Sequence, residues 1–160
     1  MTPDLLHVLH QPFFGALAAS GFEILFNFGW RDIPLCAASG AVALATRTLG
    51  QQAGWTLEAA SFAAALVVGC SARLLAARLG TGWNDLAASG CIPMVPGSFA
   101  AKGIFGLYAL TASNPVDPHN TVVTAMEFTL RLLFTLIAIG TALSITAVAS
   151  KSLEFREISR

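Results

Sequence analysis

The sequence predicts an all-α polytopic membrane bundle of five transmembrane helices, one of them broken at a Pro-x-x-Pro-Gly segment. Three observations carry this. The 160 residues are 55% hydrophobic and only 11% charged, with a mean hydropathy of +0.68, whereas about 25% of a soluble domain is charged. The apolar residues collect into five runs of spanning or near-spanning length, separated by short polar, turn-forming segments. The cations gather at the ends of those runs on one side. Together they describe one integral membrane domain over residues 1–160, with a short cytoplasmic tail at 150–160.

The first run, residues 5–28, is long enough to cross. No Lys or Arg precedes it, so the basic start of a secretory signal peptide is missing and a retained helix is expected. Residues 33–49 form a shorter second run, uncharged until Arg47; if it lies on the surface instead, the count falls to four. Residues 55–79 make the third, with Glu58, Arg73 and Arg78 towards its ends, and residues 91–112 and 121–149 the fourth and fifth. The separators GWRD (29–32), GQQAG (50–54), GTGWNDLAASG (80–90) and SNPVDPHN (113–120) are all turn-like.

With five spans, Arg31, Arg73, Arg78, Lys151, Arg156 and Arg160 share a side with the C-terminus, and Arg47 stands near the opposite ends. The positive-inside rule then places the N-terminus outside and the C-terminus in the cytoplasm. Trp30 and Trp83 flank cytoplasmic ends and Trp55 an outer one, as interfacial aromatics do. Small residues at helix-contact spacing, such as Gly15 with Ala19 and Gly103 with Gly106, suit close packing of helices.

Several function classes drop out. Nine Lys+Arg balance nine Asp+Glu, so the chain has no electrostatic footprint for nucleic acid. No GxxxxGK[ST] loop is present to couple ATP within the chain, and His7, His10 and His119 have no HExxH or GxSxG around them, so no enzyme activity is expected. Cys36, Cys70 and Cys91 lack CxxC spacing and read as free thiols in helices; no metal or cofactor is expected.

Ionisable side chains within spans are costly and face protein, water or a counter-charge. Glu23 and Arg73 fall at similar depth near the cytoplasmic face and are expected to pair, as are Arg47 and Glu58 near the outer face. Lys102 falls near the middle of the fourth span, and Arg131 about 15 Å into the fifth at 1.5 Å per residue, four residues after Glu127 and suitably placed to pair with it. Lys102 then either has an anionic ligand or an acidic residue of a partner chain as its counter-ion, or snorkels towards water along its stem.

The most specific segment is CIPMVPGSF, residues 91–99. Pro93 and Pro96 remove backbone donors and disfavour helix before them, and Gly97 admits unusual backbone angles. A regular helix cannot pass. Non-helical backbone at membrane depth lines a cavity or is buried in protein, and transporters use such breaks to aim half-helix N-termini at anionic groups. A helix restarting at Gly97 or Ser98, with Lys102 one turn on, would do so; a plain helix-starting turn at the membrane surface is the alternative. The candidate substrate pathway is therefore Pro93, Pro96, Gly97, Ser98, Lys102, Glu127 and Arg131.

GFEILFN at 21–27 followed by Arg31, a Gly-containing span with Gly40 that ends in Arg47, and IPMVPGS at 92–98 together resemble the small membrane subunit of the threonine/serine exporter family, of the YjjB type. The resemblance covers nearly the whole chain. Carried over, it marks Asn27, Arg31, Gly40 and Arg47 with Pro93, Pro96 and Gly97 as family positions, and does not extend to Lys102. It implies a bacterial inner-membrane exporter subunit working with a larger membrane partner of the YjjP type. The substrate implied is a dicarboxylate such as succinate, or threonine and serine as in single-chain relatives. It also implies an inverted pairing of the two halves around a central site, with self-association of the chain as a further expectation. A scaffold subunit that contacts no substrate is the competing expectation.

Overall fold

A computed structural model describes residues 5–27, 29–79, 82–111 and 117–158; the expected turn residues 113–116 and Arg160 of the tail lie outside them. Every regular element among the described residues is helical: α1 (Leu5–Leu25), α2 (Ile33–Gln52), α3 (Leu57–Leu79), α4 (Trp83–Cys91), a 3-10 turn (Ile92–Met94), α5 (Gly97–Ala109) and α6 (Pro118–Ile158). The fold class is all-α. Among the described residues, three helices are long and apolar enough to cross a membrane: residues Ile33–Gln52, Leu57–Leu75 and His119–Ala149. Helix α1 has 21 residues, with His10, Gln11 and Glu23 diluting its apolar run.

The fourth expected span is interrupted at the proline segment as expected, and the turn-like separator before it needs correction. Within the expected separator at 80–90, the residues from Trp83 onward are helical: nine residues from Trp83 form α4, and the described part of the following run is divided into the end of α4, the 3-10 turn and the 13 residues of α5. Neither half alone reaches the roughly 20 residues of a crossing. Helix α6 continues into the expected tail as far as Ile158.

Helix ends follow local chemistry. Asn27 terminates α1 at φ 55°, the left-handed region that asparagine tolerates best among residues with a Cβ. Pro34 sits in the first turn of α2, where its missing donor costs nothing. Gly54 at φ 86° turns the chain after α2. Asp117 precedes α6, accepting from the Asn120 amide at 3.3 Å and side chain at 2.6 Å, with Pro118 at the first helical position.

Two compact units divide the chain: Met1–Met94 with Ala138–Arg160, and Val95–Ile137. In the first, α1 and α2 meet at Gly15 and Gly40. A Cβ added at Gly40 would stand 2.5 Å from the Gly15 carbonyl oxygen and 2.6 Å from Ala19 Cβ. The small-residue spacing of the sequence is thus a backbone-to-backbone contact. The core lies between α2, α3, α4 and the later part of α6, where Ala43, Ala64, Ala65, Val68, Cys91, Met94, Ile139 and Ala142 are buried together. Gly69 of α3 admits the Thr146 side chain of α6 in the same way. Ser39 of α2 donates to the Leu86 carbonyl of α4 at 3.1 Å, and Gly90 abuts the Ser39 side chain. Trp83 packs against the cluster of Cys36, Ala72, Leu86 and Ala87 near the start of α2, the end that Trp30 precedes, while Trp55 follows the other end of α2.

The second unit is a helical hairpin. Gly103 and Gly106 of α5 face Thr129 and Ala125 of α6, and Phe99 packs on Phe128 with centroids 5.5 Å apart. Its outer faces carry Ile104, Phe105, Tyr108, Met126, Phe134 and Ile137, all exposed. In water such a surface would be an aggregation liability; in a bilayer it is the ordinary lipid-facing side.

Candidate functional site

The site is built on the helix break. Pro93 lies in the 3-10 turn, and Pro96 precedes the first residue of α5 at φ −80°, ψ 73°. Around the break the backbone amides find close partners: Gly97 N–H donates to the Val95 carbonyl at 2.8 Å, and Phe99 and Ala100 both donate to the Pro96 carbonyl. The Met94 carbonyl has its donor elsewhere. Arg47 of α2 reaches across and donates to it from a guanidinium Nη1. A charged donor is well matched to such an acceptor, being stronger than a neutral one. The Arg47 Nε is buried without a hydrogen-bond partner.

The position of this contact along α2 decides what kind of break it is. Arg47 stands fourteen residues after Ile33, about 21 Å along the helix axis, with five residues still to come before the helix ends. Met94 is fully buried beside it, against Ala43. The break is therefore alongside the body of α2 and not beyond its end, which disfavours a plain turn at a surface.

Other sequence-selected residues take varied places. Gly40 makes the close approach to α1. Asn27 ends α1 and is exposed, as is Arg31 in the following turn. Gly97 has ordinary negative φ and nothing within 4 Å of an added Cβ, so its conformation does not demand glycine. Ser98 is exposed and does not cap α5. In the hairpin, Glu127 and Arg131 form the expected ion pair at 3.0 Å, about half exposed. Lys102 Nζ stands 5.1 Å from the centroid of the Phe128 ring, a cation–π contact, and lines an open hollow of about 270 Å³ with Gly106, Asn120, Thr121 and Thr124.

Two expected pairs do not form. Arg47 serves the Met94 carbonyl instead of Glu58, which lines an apolar hollow with Trp55, Phe62 and Leu66. Glu23 is fully buried with the Cys36 thiol beside it, and Arg73 donates no hydrogen bond to it. Equal depth along two helices was the ground for that pair. Depth says nothing of the angle around each axis, and α1 packs on α2 and α4.

Met94 as an acceptor and Ser39 as an inter-helix donor were not among the expected residues. Ser39 left a trace: with Cys36, Gly40 and Ala43 it makes the buried small-residue face of α2 at i, i+3, i+4, i+7 spacing. A backbone acceptor leaves no trace in side-chain pattern.

The family model described as Threonine/Serine exporter, ThrE, matches residues 11–149. The chain belongs to the threonine/serine exporter family. The matched stretch takes in α1 from Gln11, the Gly15–Gly40 crossing, Arg47, the helix break and α6 as far as Ala149. No solved structure matches the chain. Membership makes it an exporter-type membrane transport protein.

Proposed function

We propose that the chain is one subunit of a secondary exporter in the bacterial inner membrane, working with a larger membrane partner of the same family to move small organic acids or amino acids outward. The substrate is a succinate-like dicarboxylate or threonine and serine. The observation that carries this is the interrupted helix held alongside α2 by Arg47. Irregular backbone at membrane depth is a feature of translocation sites, and family membership agrees with it.

In this reading the chain crosses five times, with the N-terminus outside and the C-terminus cytoplasmic. An odd number of crossings lets a partner half insert in the opposite sense and complete the site. The break, Lys102 and the Glu127–Arg131 pair are this half's contribution to the substrate path. The absence of nucleotide-binding and hydrolase motifs favours gradient-driven transport over ATP coupling or enzyme chemistry.

The test is export from cells that lack the chain and then regain it, with and without the larger partner, measuring succinate, threonine and serine inside and outside. Restoration of export only when both are present is the expected result. No change for any of the three substrates overturns the proposal. Separate substitution of Pro93 and Lys102 distinguishes a scaffold: if the complex assembles and export continues unchanged in both, the chain is a scaffold and the pathway lies in the partner.

A further inference from the structure

Beside the break lie two buried polar atoms that nothing in the proposed pathway uses. One is Nε of Arg47; the other is the hydroxyl oxygen of Ser61, a residue of α3 with no exposed surface. Neither makes a hydrogen bond among the described residues. They stand at one level of the packing. Ala43, Arg47 and Gly50 follow one another at i, i+4 and i+7 on α2 and so share a face. That face meets α3: a Cβ added at Gly50 would stand 3.1 Å from Ala60 Cβ, and Ala43 packs in one cluster with Ala64, Val68 and Met94. Arg47 thus falls opposite the turn from Ala60 to Ala64, the turn that holds Ser61.

The bond that Arg47 makes leaves a fork unused. Its guanidinium is planar and donates only. Nη1 serves the Met94 carbonyl. Nε–H and Nη2 lie along the other edge, the kind of edge that grips a carboxylate with a pair of parallel hydrogen bonds. Among the described residues no carboxylate fills it. Glu58, one turn before Ser61, lines the apolar hollow beside Trp55, and Glu127 is taken by Arg131. A guanidinium stays charged wherever it is put, and a buried donor without an acceptor is costly. The free edge and the Ser61 hydroxyl share one chemistry, since both can donate to an anionic oxygen.

We propose that Arg47 and Ser61 hold the carboxylate of the transported substrate, Arg47 through its Nε–Nη2 edge and Ser61 through its hydroxyl, while Nη1 keeps its bond to the Met94 carbonyl. One side chain then ties the ligand to the backbone of the break. A carboxylate is what dicarboxylates and amino acids have in common, so a single anchor serves either. Nε is shielded in the packing described, and the carboxylate reaches it when the helices around the break part, as alternating access requires. The proposal rests on the exporter reading and names the substrate group and the residues that take it.

The test uses the full chain co-purified with its larger partner in detergent, with thermal unfolding followed as ligand is titrated. The probes are succinate against succinamide, its neutral diamide, and threonine against threoninamide. A ligand that binds the folded complex raises its midpoint. The expected result is a concentration-dependent rise with succinate or threonine that the matching amide does not give. Ser61→Ala removes a buried hydroxyl without a partner; it is expected to unfold no earlier than wild type in the absence of ligand, yet to bind about tenfold more weakly or worse. Arg47→Lys keeps a donor for the Met94 carbonyl but loses the fork, and the same weakening is expected. In cells, the half-saturating substrate concentration for export rises in step. Wild-type affinity in Ser61→Ala, or in an assembled Arg47→Lys, overturns the proposal and is the outcome if a buried water serves both atoms. So does a wild-type complex that does not distinguish carboxylate from amide. A ligand-free Ser61→Ala complex less stable than wild type shows that the hydroxyl is already satisfied, and overturns it too. If Arg47→Lys does not assemble, Ser61→Ala decides. A wild-type complex that exports neither substrate removes the exporter reading, and the binding comparison still decides Arg47 and Ser61.

Discussion

Arg47 donates a hydrogen bond to the main-chain carbonyl of Met94, in the middle of the segment where two prolines interrupt the fourth apolar run. A cation within the body of α2 therefore serves backbone instead of a carboxylate.

Removing that donor exposes the cost of the break. Arg47→Met leaves the buried Met94 carbonyl unpaired, and a loss of about 1–3 kcal/mol is expected. Arg47→Lys, with a point charge in place of a fork, recovers part of it. Thermal unfolding of the purified complex in detergent measures both; equal midpoints for wild type and Arg47→Met would contradict the contact.

Gly40 and Gly140 separate steric from incidental glycines. Gly40→Val drives a side chain into the Gly15 carbonyl and Ala19, and is expected to cost about 1–3 kcal/mol or more through overpacking. Gly140 in α6 has nothing within 4 Å of an added Cβ, so Gly140→Ala is expected to be neutral or to stabilise by up to about 1 kcal/mol. Comparison of the two by thermal unfolding checks the α1–α2 crossing.

At the break itself, proline and not glycine sets the geometry. Gly97→Ala is expected to assemble and export as wild type, because its φ is ordinary and its surroundings open. The double substitution Pro93→Ala with Pro96→Ala restores two backbone donors and lets helix propagate through 92–96. Loss of export with the complex still assembled is the expected outcome. A double variant that exports normally would show that the interruption is dispensable.

The Glu127–Arg131 pair calls for a double-mutant cycle. An exposed pair in water is worth about 0–1 kcal/mol, whereas an uncompensated arginine at the centre of a membrane helix costs about 2.5–3.5 kcal/mol on insertion scales. Glu127→Gln alone is expected to reduce the amount of membrane-inserted protein, and Glu127→Gln with Arg131→Gln to restore it. Equal insertion of all three proteins would place the pair in water.

Much of the fold was legible because apolar runs bounded by glycine, proline and asparagine coincide with helices. Residues 33–49 and 55–79 fall within or close to α2 and α3, and 5–28 overshoots α1 only at the turn around Asn27. Helix α4 was hidden by composition. Gly, Asn, Asp and Ser at 80–90 read as turn chemistry, yet Leu86, Ala87, Ser89, Gly90 and Cys91 are all buried. Small polar residues there permit close packing on α2, and tertiary contact overrides local preference. Within the site, Glu127 with Arg131 could be read from spacing because four residues in one helix fix the geometry. Arg47 with Met94 could not, since the pairing depends on how two separate helices lie together and on an acceptor that every residue possesses.

Two hydrogen bonds join α2 to the segment that follows α3, Ser39 to the Leu86 carbonyl and Arg47 to the Met94 carbonyl, and each spans the same forty-seven residues of sequence. A constant offset at two points means that α2 and the α4 segment run in the same direction and in step, like two rules clamped at a pair of matching marks. Sliding one past the other by a helical turn would forfeit both bonds at once and drive Gly90 off its seat on Ser39. The height of the break along α2 is therefore a fixed coordinate of this packing, and a working stroke that shifts it must either carry α2 along or break both clamps together.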